Sequence, residues 1–268
     1  MRIPRDARAI VTGAGSGFGR AVSLELASRG ARLVVSDQDL TTAEETAELA
    51  KARGAKAVAV RCDVRRPDEV KGLVARSEKD WDGLDVIVNN AGVAVVGRVG
   101  EVSLEDWQFE MDVNLMGVIY GCHFAIPAMK KGRRGWILNV ASAAGLLSAP
   151  MMGPYNVTKA GVIALSETLR TELHEDGIHV TVLCPTFFRT NIHRSQRSPE
   201  GLKERSAKLV ENAKWSAEEV AAAAVKGLER RTLYVIPQAD GQVMWRAKRA
   251  LGQSFYSIVG RTASRFLA

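Results

Sequence analysis

The sequence predicts an α/β fold built on a parallel sheet, and three observations support this prediction. Short apolar runs rich in Val, Ile and Leu alternate with longer stretches whose apolar residues recur at helical spacing. Such alternation is typical of βαβ units. Glycines precede most of the runs, and no linker rich in Ser, Gly or Pro occurs before about residue 190. We therefore expect one domain over residues 1–240, followed by a C-terminal extension over residues 241–268.

Seven of the apolar runs have the length and composition of buried strands. Each contains four to seven residues, and most are followed by a longer helical pattern. The predicted strands are residues 9–12, 32–36, 56–62, 86–89, 136–140, 179–183 and 233–236. Glycines before five of them mark predicted helix ends, where a left-handed residue is often needed. These glycines are Gly30, Gly54, Gly83, Gly135 and Gly177.

The composition excludes disordered and fibrous proteins. Of the 268 residues, 46% are hydrophobic and 25% are charged, which is enough apolar material for a large core. The net charge of +7 leaves nucleic acid, an anionic membrane surface or an anionic small ligand open as a partner. Residues 241–268 hold five basic and no acidic residues, so they carry +5 of this charge. The excess therefore belongs mainly to the extension.

The cellular location is predicted from the N-terminus and the cysteines. The first residues are charged and lead directly into a strand, without the apolar segment of a secretory signal. Residues 113–129 are a poor membrane span because they include Asn114 and Pro127. Three widely spaced cysteines without a C-x-x-C pair argue against disulfides and zinc. We expect a cytoplasmic protein without a metal site.

A glycine-rich turn follows the first predicted strand and opens a predicted helix. Residues 12–19 read TGAGSGFG, in which Gly13, Gly17 and Gly19 fit the spacing G-x-x-x-G-x-G. Backbone N–H groups and the helix dipole at such a turn can hold a pyrophosphate. The spacing matches neither G-x-G-x-x-G nor the Walker A pattern. A flexible turn without a ligand is the alternative.

Acidic residues end the second and third predicted strands. Asp37 lies 18 residues past Gly19, close to the spacing of about 20 expected for a carboxylate that binds an adenosine ribose. Because Ser16 and Gln38 supply no cation for a 2′-phosphate, NAD is favoured over NADP. Alternatively, Asp37 caps the following helix. Asp63 is placed either to bind the adenine amino group or to remain a solvated loop acid.

Residues 89–92 read NNAG and follow the fourth predicted strand, at the carboxyl edge of the sheet. Small residues there allow a ligand to approach the backbone closely, and the Asn side chains can stabilise the turn. Taken alone, the segment is equally consistent with an ordinary turn.

Four further residues form a candidate acid/base site. Tyr155 is the one tyrosine of four that has a lysine four residues later, Lys159, and helical spacing places both on one face. A lysine ammonium lowers the pKa of a nearby tyrosine from about 10. Ser142 is placed to polarise a substrate oxygen, and Asn114 to anchor a water and relay protons to Lys159. The alternatives are a surface Tyr/Lys pair, a loop serine without a catalytic role, and a buried asparagine whose side chain hydrogen-bonds to main-chain groups.

Together these motifs resemble the short-chain dehydrogenases/reductases, in order and at family-like spacings over about residues 7–192. The resemblance implies a Rossmann-like, doubly wound sheet of about seven strands and hydride transfer at the nicotinamide C4. It implies that Tyr155 is the general acid/base, that Lys159 also binds the nicotinamide ribose and that Ser142 positions the substrate oxygen. It also implies that helices around residues 106–129 and 155–174 pair between subunits, in homodimers or homotetramers.

The resemblance extends to the cofactor site, with one departure. Thr186 stands where the family usually has glycine, which makes the backbone less free and puts the geometry of the contacts from Phe188 and Thr190 in doubt. The predicted cofactor contacts are Gly13, Ser16, Gly17, Phe18, Gly19, Asp37, Asp63, Val64, Asn90, Ala91, Gly92, Tyr155, Lys159, Pro185, Phe188 and Thr190.

The predicted substrate pocket is apolar and has a lid at about residues 187–214. Arg189, Arg194 and Arg197 leave open a fatty or CoA-linked acid, whereas solvated arginines and core packing are the alternative. We expect a lipophilic secondary alcohol or ketone that is cyclic, aromatic, steroid-like or hydroxyacyl. The predicted pocket residues are Ser142, Leu147, Met152, Tyr155, Phe187 and Ile192.

The C-terminal extension has an amphipathic pattern. A basic amphipathic helix is typical of membrane-surface or partner binding. We favour instead a helix that docks on its own subunit or on a dimer mate, because globular helices also need an apolar face. The apolar face consists of Phe255, Ile258, Val259, Thr262, Ala263, Phe266 and Leu267.

Other functions fit the sequence less well. An epimerase or dehydratase of the same fold usually has a longer substrate domain and different glycine spacing. A non-catalytic NAD(H) sensor or scaffold, attached through its C-terminal helix, should have lost Tyr155, Lys159 or Ser142, and all three are present. Nucleic-acid binding is not expected, because outside the extension the net charge is only +2. The sequence predicts an NAD-dependent alcohol dehydrogenase or ketone reductase.

Overall fold

The strands form one parallel sheet. The computed structural model describes residues 3–192, 196–198 and 200–267, with the backbone alone at 200–202, 205 and 262–267. Within these residues, seven strands pair in the order β3-β2-β1-β4-β5-β6-β7, as the α/β prediction requires. The strands are β1 (Arg8–Thr12), β2 (Arg32–Asp37), β3 (Lys56–Arg61), β4 (Val86–Asn89), β5 (Gly135–Val140), β6 (Ile178–Leu183) and β7 (Tyr234–Val235).

Helices cover both faces of the sheet, which makes it doubly wound. The central strands are therefore largely apolar, and β4 and β5 are buried at every residue. The helices are α1 (Gly17–Ala27), α2 (Leu40–Ala52), α3 (Pro67–Trp81), α4 (Leu104–Met111), α5 (Gly117–Gly132), α6 (Ala143–Leu147), α7 (Gly153–Glu172), α8 (Glu200–Glu211), α9 (Ala217–Glu229), α10 (Ala239–Leu251) and α11 (Ser254–Leu267). A π-helical turn, Asp112–Met116, joins α4 to α5.

The strand order places the site. The chain runs outward from β1 through β2 to β3, and then returns to the other side of β1 with β4. In open α/β sheets, ligands bind at the carboxyl ends of the strands where the order reverses. The glycine-rich turn after β1 and the NNAG segment after β4 flank this crevice.

The predicted left-handed glycines are confirmed in the turns that follow α1, α2 and α7. Gly30, Gly54 and Gly177 have φ values of 85°, 85° and 69°. The prediction is wrong for Gly83 and Gly135, because Asp82 and Arg133 are the left-handed residues that end α3 and α5, with φ 60° and 51°. Gly135 instead begins β5, where a Cβ would lie 2.6 Å from the sulfur of Met129. Close packing, and not a turn, requires that glycine.

An ion-pair cluster around one buried carboxylate lies at the amino ends of the strands, opposite the crevice. Asp85 is fully buried, and its carboxylate accepts hydrogen bonds from Arg8 Nε at 2.7 Å and Arg134 Nε at 2.7 Å. Arg8 begins β1, whereas Asp85 and Arg134 directly precede β4 and β5. The cluster therefore joins three adjacent strand starts.

The C-terminal extension forms α10 and α11, and it packs on its own chain. Phe255 is 7% exposed and belongs to the main core, and Val259 packs against that core. Lys248 Nζ donates to the carbonyl of Leu146 at 2.5 Å. The side chains of Thr262, Ala263, Phe266 and Leu267 lie outside the described residues. Among the helices that the structure describes, none is long and apolar enough to cross a bilayer.

Candidate active site

The glycine-rich turn and the NNAG segment form one hydrogen-bonded unit. Asn90 Nδ2 donates to the carbonyl oxygens of Thr12 at 2.8 Å and Gly13 at 2.9 Å. The main-chain N–H groups of Asn90 and Ala91 donate to Thr12 Oγ1 at 3.0 and 3.1 Å. A Cβ on Gly13, whose φ is +61°, would lie 2.7 Å from the Cα of Ala91. These hydrogen bonds show that the NNAG segment holds the glycine-rich turn in shape. It is therefore more than an ordinary connecting turn.

Asp37 holds the turn from the second strand. Its Oδ2 accepts a hydrogen bond from the N–H of Gly15 at 2.9 Å, and its Oδ1 accepts one from Asp39 at 3.1 Å. Asp39 is the residue that caps α2, since its side chain accepts from the N–H of Thr41. The alternative interpretation of Asp37 as a helix cap is therefore wrong. Asp37 and the adjacent Gln38 line the cleft.

Asp63 lines the cleft beyond the third strand, but its side chain is engaged. The carboxylate accepts hydrogen bonds from Arg65 at 2.6 to 3.0 Å. These hydrogen bonds from Arg65 hold the pKa of Asp63 below its usual range. The main-chain N–H of Asp63 donates to Glu69 at 2.9 Å. Asp63 is thus not a solvated acid, and its contact with adenine stays a prediction.

Tyr155 and Lys159 lie together inside the protein. They are 9% and 3% exposed, and Lys159 Nζ is 5.6 Å from the centre of the Tyr155 ring. Lys159 Nζ also donates to the carbonyl of Val140 at the end of β5, at 2.9 Å. The alternative interpretation of these two residues as a surface Tyr/Lys pair is therefore wrong. Ser142 caps α6, where its Oγ accepts from the N–H of Ala144 at 3.1 Å, and its hydroxyl also hydrogen-bonds with Tyr155.

Burial controls the acidity of this pair. It raises the pKa of Tyr155 to about 12, although the hydrogen bond with Ser142 acts in the opposite direction. Burial therefore outweighs any lowering in the chain by itself, and the lowering of the Tyr155 pKa by Lys159 stays a prediction. Burial also lowers the pKa of Lys159 to about 8, and the carboxyl of Glu110 opposes this shift.

Asn114 lies in the π-helical turn behind the cleft. Its Oδ1 accepts from the N–H of Val93 at 2.8 Å, and its Nδ2 donates to the carbonyl of Val93 at 2.9 Å and to Glu110 Oε1 at 2.9 Å. Both N–H groups of the Asn114 side chain therefore donate to protein acceptors. This agrees with the alternative interpretation of a buried asparagine that hydrogen-bonds to the backbone. The proton relay through Asn114 stays a prediction, and a water would have to use the remaining acceptor capacity.

The sequence analysis missed Glu110, which is fully buried on α4. Its Oε2 accepts from the N–H of Val95 at 3.1 Å. The available signal was its position four residues before Asn114, on the same helical face.

All predicted cofactor and substrate-pocket residues line one continuous cleft of about 970 Å³, within the range of ligand pockets. Phe188 packs edge-on against Phe18 at 6.2 Å, and a Cβ on Gly17 would lie 2.8 Å from Thr190 Oγ1. The cleft thus has a cradle of backbone and small residues at one end, which fits a dinucleotide. The walls of the cleft also include side chains that were not predicted from the sequence, Met244, Phe255, Ile258 and Val259 from the C-terminal extension, together with Phe109 and Val210.

The arginines near the substrate end are bound to protein groups. Arg189 donates to the carbonyls of Ala213 at 2.8 Å and Lys214 at 3.1 Å. Arg197 pairs with Asp106 at 2.9 Å, and its guanidinium stacks 3.7 Å from the centre of the Phe109 ring. Neither lines the cleft, and Arg194 lies outside the described residues.

Comparisons with known proteins agree with this geometry. Residues 7–201 match the family described as short chain dehydrogenase. A cyclohexanol dehydrogenase from an Acinetobacter species is 34% identical over 183 residues, which are 68% of this chain and 73% of that protein. Glucose 1-dehydrogenase 2 from Bacillus subtilis is 33% identical over 230 residues, which are 85% of this chain and 89% of that protein.

A solved structure is similar along almost the whole chain. It is a short-chain dehydrogenase/reductase from Burkholderia phymatum in complex with NAD, with a TM-score of 0.89 and 31% identity, and the match covers 94% of this chain and 95% of that one. The agreement of family, relatives and fold shows an oxidoreductase that binds a nicotinamide cofactor and acts on a small molecule. This chain belongs to the short-chain dehydrogenase/reductase family.

Proposed function

We propose that this oxidoreductase uses NAD(H) to interconvert a neutral, lipophilic secondary alcohol and its ketone. The observation that carries the proposal is the single cleft in which Ser142 and Tyr155 lie between a dinucleotide cradle and an apolar end. Among the described residues that line this cleft, Lys159 and Arg65 are the only Lys or Arg, and Arg65 is paired with Asp63. An anionic substrate would therefore find no available cation apart from Lys159.

The preference for NAD is supported by the charge at the end of β2. The carboxylate of Asp37 is held in place by the N–H of Gly15, at 2.9 Å. A ribose 2′-hydroxyl can donate a hydrogen bond to this carboxylate, whereas a 2′-phosphate would be repelled by it. Neither Ser16 nor Gln38 offers a compensating positive charge.

The proton chemistry is assigned to three side chains. Ser142 donates its hydroxyl hydrogen to the substrate oxygen, since its Oγ is already held by the N–H of Ala144. Tyr155 gives a proton to that oxygen during reduction and removes it during oxidation. Lys159, as an ammonium, stabilises the phenolate of Tyr155 and so opposes the effect of burial. The bound nicotinamide cofactor supplies the hydride donor or acceptor.

We also propose a homodimer or homotetramer, formed by the helices around residues 106–129 and 155–174. On α7 the side chain of Val157 is 50% exposed, which leaves apolar surface for a partner subunit. Size-exclusion chromatography with light scattering tests this, and a monomer at micromolar concentration would contradict it.

The function is tested by cofactor titration followed by a substrate panel. We expect tighter binding of NADH than of NADPH, measured by nicotinamide fluorescence. Reduction of NAD should then occur with cyclic, aromatic or steroid secondary alcohols. Small polyols and hydroxy acids of similar size are the matched controls, and we expect little turnover with them. Turnover of polyols alone would refute the lipophilic substrate, and NADH binding without turnover of any alcohol would support a sensor.

A further inference from the structure

The basic excess of the chain lies in two segments. Residues 187–214 hold seven Lys or Arg and three Asp or Glu, and residues 241–268 hold five Lys or Arg and no acidic residue. Since the whole chain has a net charge of +7, the remaining residues are slightly acidic. Both segments contribute side chains to the walls of the cleft, from the loop after β6 and α8 and from α10 and α11. The positive charge is therefore concentrated in the segments that border the cleft.

The same two segments expose apolar side chains. Among the described residues, twelve large apolar side chains are exposed, and seven of them belong to these segments. The seven are Phe187, Leu209, Val243, Met244, Leu251, Tyr256 and Ile258. Each segment has only 28 of the 268 residues, so the exposed apolar side chains are not scattered evenly over the surface. Grouped apolar exposure of this kind is typical of a contact surface.

Three of these side chains connect the surface to the cleft. Phe187, Met244 and Ile258 come from the loop after β6, from α10 and from α11, and all three line the cleft. They are nevertheless 52%, 44% and 54% exposed. A side chain that lines a cleft and is also open to solvent lies at an opening of that cleft. We call the seven exposed side chains, together with Arg246, Lys248 and Arg249 of α10, the rim.

The C-terminal extension is only thinly covered by its own chain. Between residues 239 and 261, which the structure describes, only Gly241 and Phe255 are buried. Val243 is 62% exposed and Leu251 is 45% exposed. Docking of the extension on its own subunit, which the sequence favours, therefore leaves most of its surface open to a partner.

Cations and aromatic rings alternate on this part of the rim. Lys248 Nζ lies 5.4 Å from the centre of the Tyr256 ring, and the guanidinium of Arg249 lies 5.2 Å from the centre of the Trp245 ring. Tyr and Trp have an apolar body and a polar end, and Lys and Arg have an apolar stem below the charge. Such side chains are typical of the boundary between lipid headgroups and acyl chains.

Charge and polarity together decide which partner fits the rim. A twofold contact between two copies of the chain would place the basic rim against itself, which like charges oppose. A nucleic acid would match the charge, but its phosphates offer no apolar contact to Leu251 or Ile258. A bilayer with anionic lipid matches both properties, because its headgroups attract Lys and Arg and its acyl boundary accepts apolar side chains.

We propose that the rim is a membrane-docking surface, which binds a bilayer that contains anionic lipid and turns an opening of the cleft toward it. The helices α10 and α11 then lie at the level of the headgroups. A lipophilic substrate dissolved in the bilayer can enter the cleft from there. This last consequence rests on the proposed function, whereas docking on the bilayer does not.

The first test is sedimentation of the full chain with lipid vesicles. We expect the chain to sediment with vesicles of phosphatidylcholine that contain about 30% phosphatidylglycerol, and much less with phosphatidylcholine alone. Raising NaCl from about 0.1 to 0.5 M should weaken the binding by about tenfold or more, because salt screens the charges. Absence of sedimentation with anionic vesicles, or equal sedimentation with both kinds, overturns the proposal.

Paired charge variants test whether the rim makes the contact. Arg246→Gln combined with Arg249→Gln should lower the partition coefficient by about 25-fold, since each basic side chain near an anionic surface contributes about fivefold. The matched control is Lys56→Gln combined with Lys71→Gln. It removes the same charge from exposed positions on β3 and α3, and β3 is at the opposite edge of the sheet from β7. Equal losses in the two double variants overturn the assignment of the rim.

A fluorescent label locates the contact directly. The three native cysteines, Cys62, Cys122 and Cys184, are buried, so an introduced exposed cysteine takes the label selectively. The emission of a nitrobenzoxadiazole label on Leu251→Cys should shift to shorter wavelength when anionic vesicles are added, whereas the same label on Lys71→Cys should not respond. A label at position 251 that does not respond overturns the proposal.

Light scattering and turnover separate the remaining outcomes. Absence of vesicle binding together with an assembly that is lost in Val243→Ser would assign the rim to a second copy of the chain and overturn the proposal. A secondary alcohol that partitions into lipid should be oxidised faster in anionic vesicles than in phosphatidylcholine vesicles of equal alcohol content, and equal rates overturn access from the bilayer. Vesicle binding without turnover of any alcohol supports the docking and refutes the proposed function alone.

Discussion

The hydroxyl of Thr186 donates a hydrogen bond to the carboxylate of Asp240, at 3.2 Å. The main-chain N–H of Thr186 also donates to Gln238 Oε1, at 3.1 Å. The loop that follows β6 beside the cleft is thereby attached to the start of α10. The residue that departs from the family pattern thus holds the start of α10, and the next helix, α11, supplies Phe255 to the wall of the cleft.

Phe255→Ala should weaken the binding of bulky lipophilic alcohols. Removal of the ring enlarges the apolar end of the cleft and leaves less surface against which a large substrate can pack. We expect KM for a steroid-sized or aromatic alcohol to rise by about tenfold or more, with kcat for a small secondary alcohol nearly unchanged. Steady-state kinetics with both substrates measure this.

The control for Phe255→Ala is Leu251→Ala, because Leu251 is 45% exposed on α10 and does not line the cleft. Equal changes of KM in both variants, or a KM that is insensitive to Phe255, would contradict the assignment of α11 as a pocket wall.

Tyr155→Phe should abolish the proton transfer and preserve the cofactor site. Loss of a general acid/base typically costs about 100- to 10,000-fold in rate. We expect kcat to fall by this factor in both directions, while NADH binding measured by fluorescence changes little. Tyr120→Phe is the control, since Tyr120 does not line the cleft and its variant should keep full activity. Near-normal turnover of Tyr155→Phe would exclude the mechanism.

Asp37→Ser should weaken the preference for NAD. The substitution removes the carboxylate that would receive the ribose hydroxyl, and it also removes the hydrogen bond to the N–H of Gly15. We expect the ratio of the NADPH to the NADH dissociation constant to fall at least about tenfold, because a repulsive charge and a charge-assisted hydrogen bond are lost together. Asp39→Asn keeps the helix cap and should leave the ratio unchanged. An unchanged ratio in Asp37→Ser would remove Asp37 from the cofactor site.

Asp85→Asn should destabilise the fold without affecting the site. Burial opposes the charged form, yet the hydrogen bonds from Arg8 and Arg134 hold the pKa of Asp85 below its usual range. Because the side chains of Arg8 and Arg134 are themselves 18% and 42% exposed, we expect a loss of about 3 kcal/mol or less in the free energy of unfolding. KM and kcat should remain near the wild-type values in the cold, where the variant is folded.

The pH dependence of this loss follows from the lowered pKa of Asp85. The carboxylate contributes stability fully above its unfolded pKa of about 4, and this contribution disappears as the pH falls through the lower folded pKa. The difference in unfolding free energy between wild type and Asp85→Asn should therefore narrow below about pH 4 in denaturant titrations. Asp80→Asn, which breaks a pair with Arg76 on the surface of α3, should cost less than about 1 kcal/mol at neutral pH. If the difference in unfolding free energy between wild type and Asp85→Asn grew as the pH fell, the lowered pKa of Asp85 would be contradicted.

Local patterns were enough to predict the sheet and most of the cleft. The apolar runs identified all seven strands, and their limits in the structure differ by one residue or less at each end. The spacing of Tyr155 and Lys159 predicted that they share a helical face. The helix ends at Gly83 and Gly135 were mistaken because Asp82 and Arg133 adopt the left-handed conformation that the pattern assigned to a glycine.

The sequence by itself determined the α/β architecture, the glycine-rich turn and the Tyr155–Lys159 pair, because each depends on residues that are close along the chain. Only the tertiary structure decided the contribution of Phe255, the burial of Glu110 and the rise in the pKa of Tyr155. These properties depend on contacts between distant segments, such as that of Lys248 with Leu146, which are 102 residues apart. Periodicity indicates which face of an element is buried, and the packing of the whole chain determines what that face meets there.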